Sequence, residues 1–156
     1  MRGDPDIVEM LNDVLTAELT AINQYYVHYK MNENWGYRRL AARLREESIE
    51  EMRHADALIE RILYFEGVPN MQRLYPVKVG ENVPEQHALD LALEKAAVER
   101  LNKGIALCRD RGDNGTRELL ARMLVDEEKA IDWTEAQLSI IAEIGKERYL
   151  AEHIHE

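Results

Sequence analysis

The sequence predicts an all-α four-helix bundle with one long crossover and a short C-terminal helix. Three observations carry this. Apolar residues recur at steps of three and four through four long segments, with no alternating strand pattern between them. Only 8 Gly and 4 Pro stand among 156 residues, so helix breakers are few. A single long stretch, Gly67 to Val83, loses the periodicity altogether.

The elements follow in order. Asp4-Pro5 reads as an N-cap with proline in the first turn, opening a helix from about Pro5 to Asn34 with Ile7, Leu11, Val14, Leu15, Ile22, Tyr25, Tyr26 and Tyr29 on its apolar stripe. A second helix starts near Tyr37, after Gly36, and carries Leu40, Leu44, Ala55, Leu58, Ile59, Ile62 and Phe65 until Gly67-Val68-Pro69 stops it. So long a connection as the one that follows, punctuated by Pro69, Pro76, Gly80 and Pro84, suits a chain crossing from one end of a bundle to the other. A third helix runs from about Pro84 to Arg111, with Leu91, Val98, Leu101, Ile105 and Cys108 on its stripe. Gly112-Asp113-Asn114-Gly115 reads as a tight turn, and a fourth helix spans about Thr116 to Ile144, ended by Gly145 and followed by a short C-terminal helix within 146–154. At ~1.5 Å per residue, four such helices are each about 42 to 45 Å long. Two short connections and one crossover let the second and third helices run parallel.

Composition narrows the function. With 20 basic against 30 acidic residues the net charge is −10, which disfavours nucleic acid, whose binding needs clustered Lys and Arg, and favours a cation such as iron. The 46% apolar content suits one core in one domain, residues 1–156, with the bundle over about 5–145. The N-terminal segment has no apolar signal region, and no run approaches the roughly 18 apolar residues of a membrane span, so a soluble, cytoplasmic protein is expected. The lone cysteine, Cys108, excludes an intrachain disulfide and is most simply core.

The informative residues are carboxylates that interrupt the apolar stripes. Glu18 lies between Leu15 and Ile22, Glu51 between Leu44 and Leu58, Glu94 between Leu91 and Val98, and Glu127 between Leu124 and Ile131, each near the middle of its helix. One such Glu reads as a boundary residue snorkelling to water. Four at matched depth need cations to balance them, because a buried unpaired carboxylate would rather take up a proton. His54 adds to the case: Glu51 and His54 are i and i+3, on one face and one turn apart. A carboxylate-rich set with imidazole suits iron or manganese, and thiolates that would select zinc are absent.

The chain closely resembles bacterioferritin over essentially its whole length. The stretches that carry this are Met1-Arg2-Gly3-Asp4, Leu19 to Tyr25, Asn34-Trp35-Gly36, Glu47 to Asp56, Ile59 to Leu63, Asp126-Glu127-Glu128 and Ile131-Asp132-Trp133. The resemblance implies a ferritin-like fold, a hollow shell of twenty-four subunits, ferroxidase chemistry that oxidises Fe(II) at an intrasubunit di-iron centre, storage of the ferric mineral, haem b between paired subunits, and a ferredoxin-type electron donor. It further implies that Glu18 and His54 serve one iron, that Glu94 serves the other, and that Glu51 and Glu127 bridge. The family's second Glu-x-x-His is broken here: the fourth helix reads Glu127-Glu128-Lys129-Ala130, and Lys129 is turned about 100° from the position the imidazole would take. A chain of this kind suits a mixed shell with a second bacterioferritin subunit, and a small-oligomer di-metal redox enzyme of the manganese-catalase type is the other reading.

Further candidates divide between packing and chemistry. Met52, one residue past Glu51, is turned towards the exterior, where it reads as an interface hydrophobe; the resemblance makes it the axial haem ligand, shared across a twofold axis. Tyr25, two turns past Glu18, is either a core tyrosine or an electron donor whose hydroxyl reaches a metal carboxylate. Trp133 packs or passes electrons. Glu46, Glu47 and Glu50 form an acidic face, which is a solvated surface or, by resemblance, an inner-surface iron site at Glu46 and Glu50. His28, His87, His153 and His155 show no ligand spacing with the acidic set.

Overall fold

A computed structural model describes residues 1–155 and contains α1 (Pro5–Trp35), α2 (Arg38–Tyr64), α3 (Val83–Asp110), α4 (Asn114–Ile144) and α5 (Lys146–Ala151). No strand occurs among the described residues, and no helix of theirs is long and apolar enough to cross a membrane. The boundaries follow local chemistry. Asp4 is extended and its Oδ1 accepts from the Asp6 N–H at 2.9 Å, with Pro5 opening the first turn, while Gly36 closes α1 in the left-handed region at φ +88°. Asn82 caps α3 in the same way, its Oδ1 accepting from Glu85 N–H at 2.9 Å.

The fourth helix begins two residues earlier than the sequence suggests, and the reason is its cap. Asp113 Oδ1 accepts from Thr116 N–H at 3.0 Å, so Asn114 and Gly115 fall inside the helix rather than in a turn. Glycine suits this position because a Cβ would sit 2.7 Å from Nη2 of Arg61, whose guanidinium also donates to Thr116 Oγ1 and Asp113 Oδ1.

α1 packs along α2, α3 along α4, and the two pairs close mainly through α1 and α3. Leu11, Leu15, Leu58, Ile62, Leu101 and Leu120, all 0–1% exposed, fill one half of the bundle. Smaller clusters around Tyr25 and Leu44, and around Leu40, Val83 and Tyr149, fill the other. Between the halves lies a polar belt. Tyr26 departs from the sequence reading: it is exposed, because Tyr25 takes the core and the next residue is turned about 100° further round the helix.

The crossover has no strand partners for its backbone, and α1 supplies them. Asn12 Oδ1 accepts from Asn70 N–H, Thr20 Oγ1 from Tyr75 N–H, Gln24 Oε1 from Lys78 N–H and His28 Nε2 from Gly80 N–H, at 2.7–3.2 Å. With Thr16 accepting from Arg73 Nε at 3.0 Å, residues 12, 16, 20, 24 and 28 form one stripe that straps the crossover to the bundle.

Candidate metal centre

Four helices each deliver one acidic side chain to the belt, and α2 adds an imidazole. Glu18, Glu51, His54 and Glu127 are all buried, and each offers a ligand atom within 4.8 Å of the others. His54 Nδ1 lies 3.6 Å from Glu18 Oε2, 3.7 Å from Glu51 Oε2 and 3.7 Å from Glu127 Oε1. The other ring nitrogen, Nε2, meets Asp126 Oδ2 at 2.9 Å, which orients the ring so that Nδ1 faces the acids. Glu18 Oε2, His54 Nδ1 and Glu127 Oε1 are buried with no hydrogen-bond partner. Buried polar atoms are ordinarily satisfied, so three orphans converging on one point fit a cation, and a three-carboxylate, one-imidazole set is the donor chemistry of Fe(II) or Mn(II).

The electrostatics agree. Burial and the charge of Glu51 push Glu127 up to about 8 against the pull of His54. Burial opposes a charge on His54, yet the surrounding carboxylates of Glu127, Glu51 and Asp126 outweigh it and hold the imidazole at about 11. Without a metal, the centre therefore stores protons that a divalent ion would displace.

Glu94 stands apart from the four. Its Oε1 accepts a short hydrogen bond from the Tyr25 hydroxyl and lies 3.2 Å from Thr134 Oγ1, while its Oε2 is unpartnered. Burial raises its carboxyl to about 8, against the Tyr25 hydrogen bond and with the help of the nearby charges of Asp90, Glu127 and Glu47. Ala130 is buried at the place where a second imidazole would stand, and the Thr134 hydroxyl, one turn on, lies 2.8 Å from its carbonyl oxygen. The donors present thus suit one metal position and not a matched second. A cavity of about 220 Å³ joins Glu18, Glu51, Glu94 and Glu127 to Tyr75, Lys78 and Arg100 beneath the crossover.

The remaining candidates fall elsewhere. Met52 projects from the outer face of α2 and is 44% exposed, a free thioether at the surface. Glu47 pairs with Arg43 at 2.9 Å and Glu50 with Arg53 at 2.9 Å, so two members of the acidic face already have partners one turn away; Glu46 is exposed beside them. Glu50 Oε1 also comes within 3.7 Å of His54 Nε2. Trp133 lies under the Arg43 guanidinium at 4.5 Å and edge-on to His87. His28 bonds Asp90 at 3.0 Å, and Cys108 is buried in the core, where burial pushes its thiol to about 11.

Sequence reasoning missed Asp126 and Thr134. Asp126 precedes Glu127 on α4 and reads as surface; only the facing of α2 and α4 brings it to His54. Thr134 is the seventh residue past Glu127, and that two-turn spacing is the one signal that could have found it.

A bundle of this topology with an acid–imidazole cluster at its midpoint defines the ferritin-like class, and the model of the ferritin-like domain matches residues 8–144. Over 152 residues the chain is 48% identical to a bacterioferritin of Mycobacterium leprae, covering 97% of this chain and 96% of that protein. It is 48% identical to one from Brucella melitensis (96% and 92% covered) and 44% identical to one from Streptomyces coelicolor (100% and 93% covered). The chain belongs to the bacterioferritin family.

Proposed function

We propose that the chain is the subunit of a hollow iron-storage shell, in which Fe(II) is bound at the Glu18, Glu51, His54 and Glu127 cluster, oxidised there by dioxygen or peroxide, which takes up the electrons, and kept as ferric mineral. The observation that carries this is the convergence of unpartnered, buried ligand atoms at the bundle midpoint. Fe(II) is substrate and cargo here. Glu18, Glu51 and Glu127 bind it, His54 is aimed by Asp126, and the deprotonation of Glu127 and His54 that accompanies binding neutralises the incoming charge. Tyr25, hydrogen-bonded to Glu94, would give an electron at the edge of the centre.

Met52 would hold haem through its thioether, one from each of two paired subunits, as the free sulfur on the outer face of α2 allows. Haem would supply a one-electron relay. A ferredoxin-type donor and a cytoplasmic setting belong to the same reading. Ala130 favours a second reading, in which this subunit shares a mixed shell with a partner chain whose centre is complete.

Sedimentation of the purified protein after aerobic addition of Fe(II) tests the first reading. The expected result is a large assembly with iron co-sedimenting, and initial oxidation that falls at least tenfold in His54→Ala. A monomer or dimer that retains no iron would overturn it.

A further inference from the structure

We infer that the centre takes one divalent ion per chain, held by Glu18, Glu51, His54 and Glu127, and that Tyr25 and Thr134 hold Glu94 out of the ligand set. The inference deepens the iron-handling reading and rests on it.

The donor count is unequal on the two sides of the belt. On the His54 side, three carboxylates and one imidazole nitrogen lie within 4.8 Å of one another, which is a full tetrahedral set or most of an octahedral one. On the other side, the residue at i+3 from Glu127 is Ala130, with no donor, and α3 supplies Glu94, its other buried acid, Asp90, being bonded through Oδ1 to Gln24 and His28. Glu94 Oε1 is occupied by the Tyr25 hydroxyl and neighbours Thr134 Oγ1 at 3.2 Å.

Thr134 is itself anchored. Its hydroxyl has one proton and two acceptors in reach, the Ala130 carbonyl at 2.8 Å and Glu94 Oε1 at 3.2 Å. It is 2% exposed, so water does not compete for either partner. Threonine therefore fills the polar role next to Glu94 that the absent imidazole leaves open, and it does so as a hydrogen-bonding group rather than a ligand. For Glu94 to turn towards a second ion it would have to break the Tyr25 bond and leave a buried tyrosine hydroxyl without an acceptor, which costs the desolvation of that group. One carboxylate oxygen and no imidazole do not compensate for that. Thr134 is a positioning residue in this account, acting through Glu94.

Co(II) titrated into the metal-free, assembled protein, with chelator competition and the Co(II) ligand-field absorption as readouts, tests the inference without any turnover. The expected result is one tight equivalent per chain. Glu94→Gln leaves its affinity within twofold, and Glu127→Gln lowers it at least tenfold. Ala130→His creates a second equivalent, and adding Thr134→Val to that variant tightens the second equivalent several-fold, because Glu94 is released. Two tight equivalents in the unmodified protein, or a tenfold loss on Glu94→Gln, would overturn the one-ion centre and leave the iron-storage reading standing. No tight Co(II) at all would overturn both. The Glu94→Gln comparison decides the matter even if Ala130→His fails to fold.

Discussion

Acidification should destabilise the folded chain through His87, a residue outside the metal centre. His87 is 2% exposed on α3, with Trp133 edge-on at 5.6 Å and Tyr149 of α5 at its Nε2. The Tyr149 hydroxyl donates its single proton to Gln137 Oε1 at 2.7 Å, so Nε2 of His87 must carry the proton that Tyr149 accepts at 3.1 Å. That leaves Nδ1 as a bare, buried acceptor with no partner. A second proton would put an unpaired charge there. Burial accordingly lowers the imidazole from 6.5 to about 4, helped by the neighbouring His153 and His28. The unfolded chain binds the proton more readily between those two values, so stability falls as pH drops through the window from 6.5 to about 4. At roughly 1.4 kcal/mol per pH unit, the loss is about 2 kcal/mol at pH 5 and about 3 kcal/mol below pH 4. His87→Gln keeps an amide donor for Tyr149 and cannot charge. Thermal unfolding of the metal-free protein, followed by Trp133 emission in a Trp35→Phe background, should show the parent losing about 2 kcal/mol relative to His87→Gln between pH 7 and pH 5. Parallel pH profiles for the two would refute the argument.

Three further outcomes are expected. Met52→Leu should abolish haem binding with the shell intact, since the replacement cannot coordinate iron; an unchanged Soret band would show Met52 to be only an interface residue. Asp126→Ala should weaken Co(II) binding about 10- to 100-fold by freeing the His54 ring to rotate, and an affinity equal to the parent's would mean that the 2.9 Å contact does not orient the ligand. Gly104→Val should destabilise the bundle by about 2 kcal/mol through overpacking, because even a Cβ at that position would sit 2.8 Å from Met10 Sδ and 3.0 Å from Leu120 Cδ1. Equilibrium unfolding reads that change directly.

The helices were legible because their punctuation is local. Asp4-Pro5, Gly36 and Asn82 act within a turn of themselves, and the long aperiodic stretch after Gly67 could only be a crossover. Glu18, Glu51, Glu94 and Glu127 could be placed at one depth because a carboxylate inside an apolar stripe marks its own face. What the sequence concealed depends on how helices are rotated against one another. The split between Glu94 and the other three acids is set by Tyr25 and Thr134, which come from two further helices. The stripe of Asn12, Thr16, Thr20, Gln24 and His28 was concealed for the same reason, since five polar residues at every fourth position read as a wet face until a crossover lies on them. In α4, the pull of the Asp113 cap outweighed the turn propensity of Asn114-Gly115.

The central claim is that this chain binds iron at the bundle midpoint, and anomalous diffraction at the iron edge tests it most directly, using crystals of the assembled protein soaked with Fe(II) under anaerobic conditions. One strong peak per subunit is expected within bonding distance of Glu18, Glu51, His54 Nδ1 and Glu127, and none beside Ala130. Iron found only on the Glu46 and Glu50 face, with nothing among the four buried ligands, would contradict it.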